Sequence, residues 1–191
     1  MMNSHALWFN EFKICMELYR DGFTSAEIKE KSKEENILQM PSKDRARRAI
    51  DNLTKRIEAL PSSIKDIFFS LNVENQKIVA LLSMMLTNRL LDEFCYEVLR
   101  NEMIVGSTEL ANYKVVAFMQ QKQAQDEQLS NWSEQTVKRA QRMLLTFLRD
   151  ADLITTEGRT NIINHPFYNN QLIAAMKEAG LTYELAGLGE V

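Results

Sequence analysis

The sequence predicts an all-α, mainly helical protein with one small β-hairpin, and three observations lead there. Six glycines and three prolines among 191 residues leave little punctuation for the tight turns of a sheet-rich chain. Apolar side chains recur three and four positions apart almost throughout. Only between Asp152 and Asn164 does the period shorten to that of strands, around Glu157-Gly158-Arg159. With 45% hydrophobic residues, a chain of this length can bury roughly 70% of its extended surface without staples.

The first helix is expected from about Ser4 to Arg20, with Leu7, Phe12, Cys15, Met16 and Tyr19 on its apolar side and Asp21-Gly22 ending it. Thr24 or Ser25 then caps a short helix to about Asn36. A side-chain oxygen there accepts from a free first-turn amide, and Glu27 and Glu30 suit the positive end of the dipole. Pro41-Ser42 opens a third helix, in which Ala46, Ala49, Ile50, Leu53, Ile57 and Leu60 share one face before Pro61 stops it. From Ser62 to about Met103 the chain reads as helical and apolar on several sides, the pattern of a central element, until Gly106-Ser107 breaks it. Another helix, Thr108 to about Ala124, runs into the polar stretch 120–128, which reads as a helix end or linker and marks a domain boundary. Ser133 precedes a helix of about eighteen residues whose buried face is Val137, Ala140, Leu144, Phe147, Leu148 and Ala151. The hairpin follows, then a last helix from Phe167 to Glu178. Residues 1–125 are thus expected to form a helical bundle, 130–180 a second unit and 181–191 a loosely held tail.

Several function classes find no support in the residues. The longest apolar stretch, Ile78 to Leu86, falls far short of the ~20 residues a membrane span needs. No cationic run followed by an apolar block opens the chain, so no signal peptide is expected and the cytoplasm is the expected location. Cys15 and Cys95 lie inside amphipathic segments and read as buried reduced thiols. With only His5 and His165 to add, no zinc-like spacing arises. The glycines never fall at phosphate-loop spacing. His165, ahead of Pro166, reads as a turn residue. Asp92 and Glu93 are adjacent on a helix, point about 100° apart and do not make a shared carboxylate site. Met84-Met85 and Phe68-Phe69 read as core, and Trp132 as the apolar anchor before a helix start. No enzyme, cofactor, metal or small-molecule substrate is expected.

The distribution of charge is more informative than its sum of −3. The segment Pro41 to Leu60 carries Lys43, Arg45, Arg47, Arg48, Lys55 and Arg56 against three acids, a balance of +3. Ser133 to Arg149 carries Lys138, Arg139, Arg142 and Arg149 against one, again +3, whereas Ser62 to Trp132 sums to −3. Lys138, Arg142 and Arg149 fall within about 40° of one another, opposite the apolar stripe, and so face outward. A basic helix followed directly by a hairpin with Arg159 at its tip has the order of a winged helix, which can set the helix in the major groove and the hairpin against backbone phosphates. Arginines opposite an apolar stripe also describe an ordinary solvated face, and winged-helix units also dock proteins, so the local pattern leaves both readings open.

Three stretches together resemble the BrxA family of the bacterial BREX phage-defence systems. The first is Glu34-Glu35-Asn36-Ile37-Leu38-Gln39, then Ser42 and the arginine-rich helix through Arg56-Ile57-Glu58-Ala59-Leu60; after the glutamine this chain departs from the family's small or polar residue with Met40-Pro41. The second is Asn88-Arg89-Leu90-Leu91-Asp92-Glu93-Phe94 with Val98 and Glu102. The third is Trp132-Ser133-Glu134-Gln135-Thr136 with Lys138, then Leu148-Arg149-Asp150-Ala151-Asp152-Leu153-Ile154. The resemblance spans about residues 20 to 165. It implies a helix-turn-helix-like N-terminal part, a C-terminal winged helix, binding to double-stranded DNA, no catalysis, and service beside a methyltransferase, an ATPase and companion defence proteins. The candidate DNA-binding residues are Lys43, Arg45, Arg47, Arg48 and Lys55 in the first part, and Ser133, Thr136, Lys138, Arg139, Arg142, Arg149 and Arg159 in the second. The alternative is a scaffold that docks acidic proteins or RNA and never touches duplex.

Overall fold

Helix α1, Phe9–Arg20, opens the part of the chain that the computed structural model describes, residues 7–190. The expected helix start at Ser4, and His5, lie outside the described residues. Helix α2, Ser25–Glu34, is set by Thr24, whose hydroxyl accepts from the Glu27 amide while the Glu27 carboxylate accepts from the Thr24 amide at 2.7 Å. Between α2 and α3 (Lys43–Ala59) the Asn36 side chain closes the turn, donating to the Met40 carbonyl at 2.7 Å and accepting from its amide at 2.9 Å. This clasp holds Gln39 at φ 50° and lets Leu38 and Met40 bury on either side of it. Ser42 caps α3, as its position before the basic run implies. Lys29 reaches Asp51 at 3.2 Å, and Ser25 donates to Glu58, so α2 and α3 are laced together on their polar edges.

The long apolar stretch is divided rather than continuous. Helix α4 (Ser62–Ile67) passes through a 3₁₀ turn to α5 (Val73–Met85), and α6 (Arg89–Phe94) continues through a π-helical stretch, Cys95–Leu99, into α7 (Arg100–Ile104). Asn72 and Asn88 make the breaks, each accepting with its side-chain oxygen from the amide three residues on. Helix α5 is buried on nearly every side, the central element expected of its composition.

Helix α8 is Asn112–Gln125, and the single-turn α9, Glu127–Ser130, hangs from Asp126. Helix α10, Glu134–Asp150, starts at the Ser133 cap and buries Ala140, Leu144, Phe147 and Leu148. Strands β1 (Ile154–Glu157) and β2 (Thr160–Ile163) pair antiparallel, Glu157 opposite Thr160. Residues 108–110 lie along the other edge of β2. The Leu110 amide donates to the Asn161 carbonyl at 2.8 Å and the Ile163 amide to the Thr108 carbonyl at 2.9 Å, so this start of the expected helix is extended instead.

The polar stretch 120–128, read as a division, is the end of α8, the Asp126 cap and the first residues of α9. Buried side chains before and after it belong to one apolar cluster running from Leu7 to Leu188.

The tail, expected from 181 on, contains one more helix. After α11 (Asn170–Glu178) the chain forms α12, Thr182–Gly187, with Leu185 and Leu188 buried. Tyr183 stacks on Tyr96 with ring centroids 4.0 Å apart, Tyr168 donates to the Leu188 carbonyl at 2.5 Å, and Gly187 leaves only 3.3 Å between an added Cβ and the Tyr96 amide. The tail is docked because leucines three residues apart give even a glycine-rich segment an apolar edge.

Candidate nucleic-acid interface

All twelve candidate residues are exposed, as a phosphate-contacting surface requires, but they are not equally free. Among the described residues, Lys43, Arg45, Arg47, Arg48, Lys55, Arg139, Arg142 and Arg159 make no ion pair with a carboxylate within 4 Å. Lys138 is held by Glu134 at 2.5 Å, one turn back on α10, and lowers that carboxyl's pKa through the hydrogen bond. The Arg149 Nε donates to the Thr156 hydroxyl at 2.9 Å, which fixes the end of α10 to β1. Thr136 gives its amide to the Ser133 cap, and the two hydroxyls lie 2.9 Å apart.

Candidates from the two basic helices border different depressions. Arg48 and Lys55 of α3 line a groove whose other side includes Arg89 of α6 and Trp132, the residue before the α10 cap. Arg149 lines a separate depression with Lys77, Asp150 and Asp152 near the start of α1. The remaining candidates border neither. Arg159 sits at the tip of the hairpin beside Gly158, whose φ of 62° makes the turn.

Arg56, counted in the +3 of its segment, is not part of the surface. It is buried to 1% exposure, donating to the Ser83 hydroxyl and to the carbonyls of Leu7 and Ala80 at 2.9–3.1 Å, with its guanidinium 5.1 Å from the Phe12 ring centroid. Burial lowers its pKa to about 9, still protonated at neutral pH. Composition conceals a second buried cation, Lys122. It holds Glu93 at 2.8 Å and Glu97 at 2.6 Å, and burial opposes its charge while those two carboxylates outweigh burial and raise its pKa. Lys114 pairs likewise with buried Glu102, so two lysines of α8 fasten it to the α6–α7 helix by three ion pairs. Both cations were legible by position. Arg56 falls at helical spacing with Leu53 and Leu60, and Lys122 with Val115, Phe118 and Met119.

Asp92 and Glu93 do diverge as expected. Glu93 joins Lys122 and Arg89, whereas Asp92 faces α12, where burial first and Glu184 second raise its carboxyl to about 6. Both cysteines are free and buried, and burial pushes the Cys15 thiol up to about 12. Among the described residues no group of three or more His, Cys, Asp and Glu side chains is placed to hold a metal ion, and no helix is long and apolar enough to cross a membrane.

Comparison with known proteins adds three findings. The model of the BrxA family matches residues 1–180. A relative from Bacillus cereus (strain H3081.97), named "BREX protein BrxA", is 26% identical over 179 residues, 94% of this chain and 90% of the relative. The crystal structure of an uncharacterized protein from Magnetospirillum magneticum superposes with a TM-score of 0.80 at 15% identity, over 97% of this chain and 94% of that one, which establishes the shared fold.

Proposed function

Because the chain belongs to the BrxA family, we propose that it is a non-enzymatic accessory component of a BREX-type bacteriophage defence system that binds double-stranded DNA through backbone phosphates, largely independently of sequence. The observation that carries the reading is the succession of a strand segment at 108–110, α8, the α9 turn, α10 and the β1–β2 hairpin. This is the order of a winged helix. In it α10 is the recognition helix, with Arg139 and Arg142 free on its exposed face and Ser133 and Thr136 at its start, and the hairpin is the wing, with Arg159 at the phosphates. The free cations of α3 add a second electropositive surface in a helix-turn-helix-like N-terminal part. The methyltransferase, ATPase and companions of such a system are the proposed protein partners, and the cytoplasm its proposed location.

An accessory protein that acts on varied phage DNA is served by phosphate contacts rather than base-edge reading. Unrelated duplexes should therefore compete within a few-fold of one another. A hundredfold preference for one site would make the protein a specific reader instead. A second reading, a scaffold for protein partners, is favoured by one observation: Val105 and Tyr113 are 72% and 69% exposed on neighbouring elements, with Ile104 beside them at 52%. That reading expects no duplex binding at all.

A further inference from the structure

The groove beside α3 contains chemistry that phosphate contacts along a duplex do not use. It has a volume of about 540 Å³, within the range of small-ligand sites, and it brings together three kinds of side chain. Its apolar wall is Trp132 with Leu129 and Leu90. Its cationic rim is Arg48 and Lys55, neither of which has a carboxylate partner among the described residues. Asn52 lines the groove as well, and its Oδ1 is buried without a hydrogen-bond partner, which costs free energy.

The acids of the groove are already engaged. Asp51 pairs with Lys29 at 3.2 Å, Glu93 with Lys122 and Arg89, and Asp126 caps α9 by accepting from the amides of Gln128 and Leu129. Arg89 reaches Glu93 at 2.5 Å and Asp126 at 3.5 Å and is therefore spent within the protein. What remains without a carboxylate partner is two cations, Arg48 giving only its Nε to the Asp44 carbonyl at 3.3 Å, beside one unsatisfied amide acceptor and the Trp132 indole.

We propose that this groove binds a single nucleotide with an unpaired base. The base stacks on Trp132, rotation of the Asn52 amide brings its orphaned oxygen onto an amino group of the base edge, and the phosphate lies on the Arg48–Lys55 rim. An aromatic face accepts any base, and an amide opposite it reads the donor and acceptor pattern that pairing would otherwise conceal. A simple anion would leave the indole and the amide unused, and an apolar ligand would leave both cations bare. The nucleotide comes either free or from a strand that passes the start of α10, since Ser133 follows Trp132 directly. This goes beyond duplex binding, which needs neither the indole nor Asn52.

The test follows the intrinsic fluorescence of the full chain on titration with deoxycytidine monophosphate and, separately, a short oligodeoxycytidylate, whose bases carry the amino group that the Asn52 oxygen would accept from. Saturable quenching is expected with at least the oligonucleotide. In Trp132→Phe the quenching should vanish, because only Trp8 remains to report, while the anisotropy of a labelled oligonucleotide shows binding largely kept by the phenyl ring. Asn52→Ala and Lys55→Ala, read by the same anisotropy, should each weaken binding by about tenfold or less, the scale of one stacked or hydrogen-bonded contact. Quenching by both ligands means that the groove accepts the nucleotide free. Quenching by the oligonucleotide alone identifies the strand as its source. No quenching by either, or quenching unchanged in Trp132→Phe, overturns the proposal. Arg139→Ala with Arg142→Ala separates this site from the duplex reading, because that pair should lower affinity for paired DNA without altering quenching by the mononucleotide.

Discussion

Arg56 shows how a charged side chain can belong to the core. Its fork satisfies two carbonyls and a hydroxyl from α5 and the segment before α1, contacts that a neutral side chain of equal length would leave open. Arg56→Met should therefore destabilise the fold by about 2 to 4 kcal/mol in urea unfolding, despite removing a buried charge. Arg56→Lys should recover only part of that, since one ammonium does not reach three divergent acceptors. Asp92 is the opposite case, a carboxyl that folding makes harder to ionise. Its folded pKa, about 6, stands above the ordinary 3.8, so its protonation favours the folded state. That contribution is complete below the ordinary value and is lost as pH rises through about 6. Asp92→Asn should accordingly raise the thermal midpoint near pH 7.5, and the difference from the parent should shrink as pH falls toward 4. A constant difference across that range would show that Asp92 does not titrate against α12.

At the scale of elements, α10 divides cleanly between core and surface. Leu144 is fully buried, and Leu144→Ala should cost roughly 2 to 5 kcal/mol through the cavity it leaves. Arg139 and Arg142 touch no carboxylate, so replacing both by alanine should move stability by less than about 0.5 kcal/mol each and flatten the salt dependence of DNA binding by up to about 2. Lys138 and Arg149 should contribute less than their charge suggests, because Glu134 and Thr156 already hold them. A double variant that melts and binds as the parent does would remove α10 from the DNA face.

Which elements were legible follows from how local their causes are. Thr24, Ser42 and Ser133 cap their helices through amides two or three residues away, so sequence alone places those starts. The hairpin shows itself by a change of period around Gly158. The divisions at Asn72 and Asn88 were masked by apolar residues on both sides, although each asparagine is a cap of the same local kind. Residues 108–110 become extended only because β2 lies beside them, a tertiary cause that no local pattern carries. Of the candidate site, the outward cations of α10 and α3 were readable from their faces. The inward turn of Arg56 and Lys122 is carried by position on the helix, which residue type alone conceals.

The whole molecule is acidic, with a net charge of −3, yet most of its exposed cations without carboxylate partners lie on α3, α10 and the hairpin tip. Five of its acids are engaged within the fold: Glu93, Glu97 and Glu102 fasten α8, Asp126 caps α9, and Asp51 binds α2 to α3. Such a molecule can approach a polyanion with the basic faces leading, while its remaining surface keeps it from adhering indiscriminately. Contacts of this kind release counterions, each neutralised phosphate adding roughly 0.9 to the slope of log affinity against log salt. If about four to six of the candidate cations without carboxylate partners engage at once, the slope falls near −3 to −6.

The most direct measurement is the affinity for one duplex at about 50 and about 200 mM salt. Binding should weaken by roughly a hundredfold to a few thousandfold across that interval. Affinity that is unchanged, or no duplex binding at the lower salt, would contradict the DNA-binding reading and leave the protein as a docking scaffold.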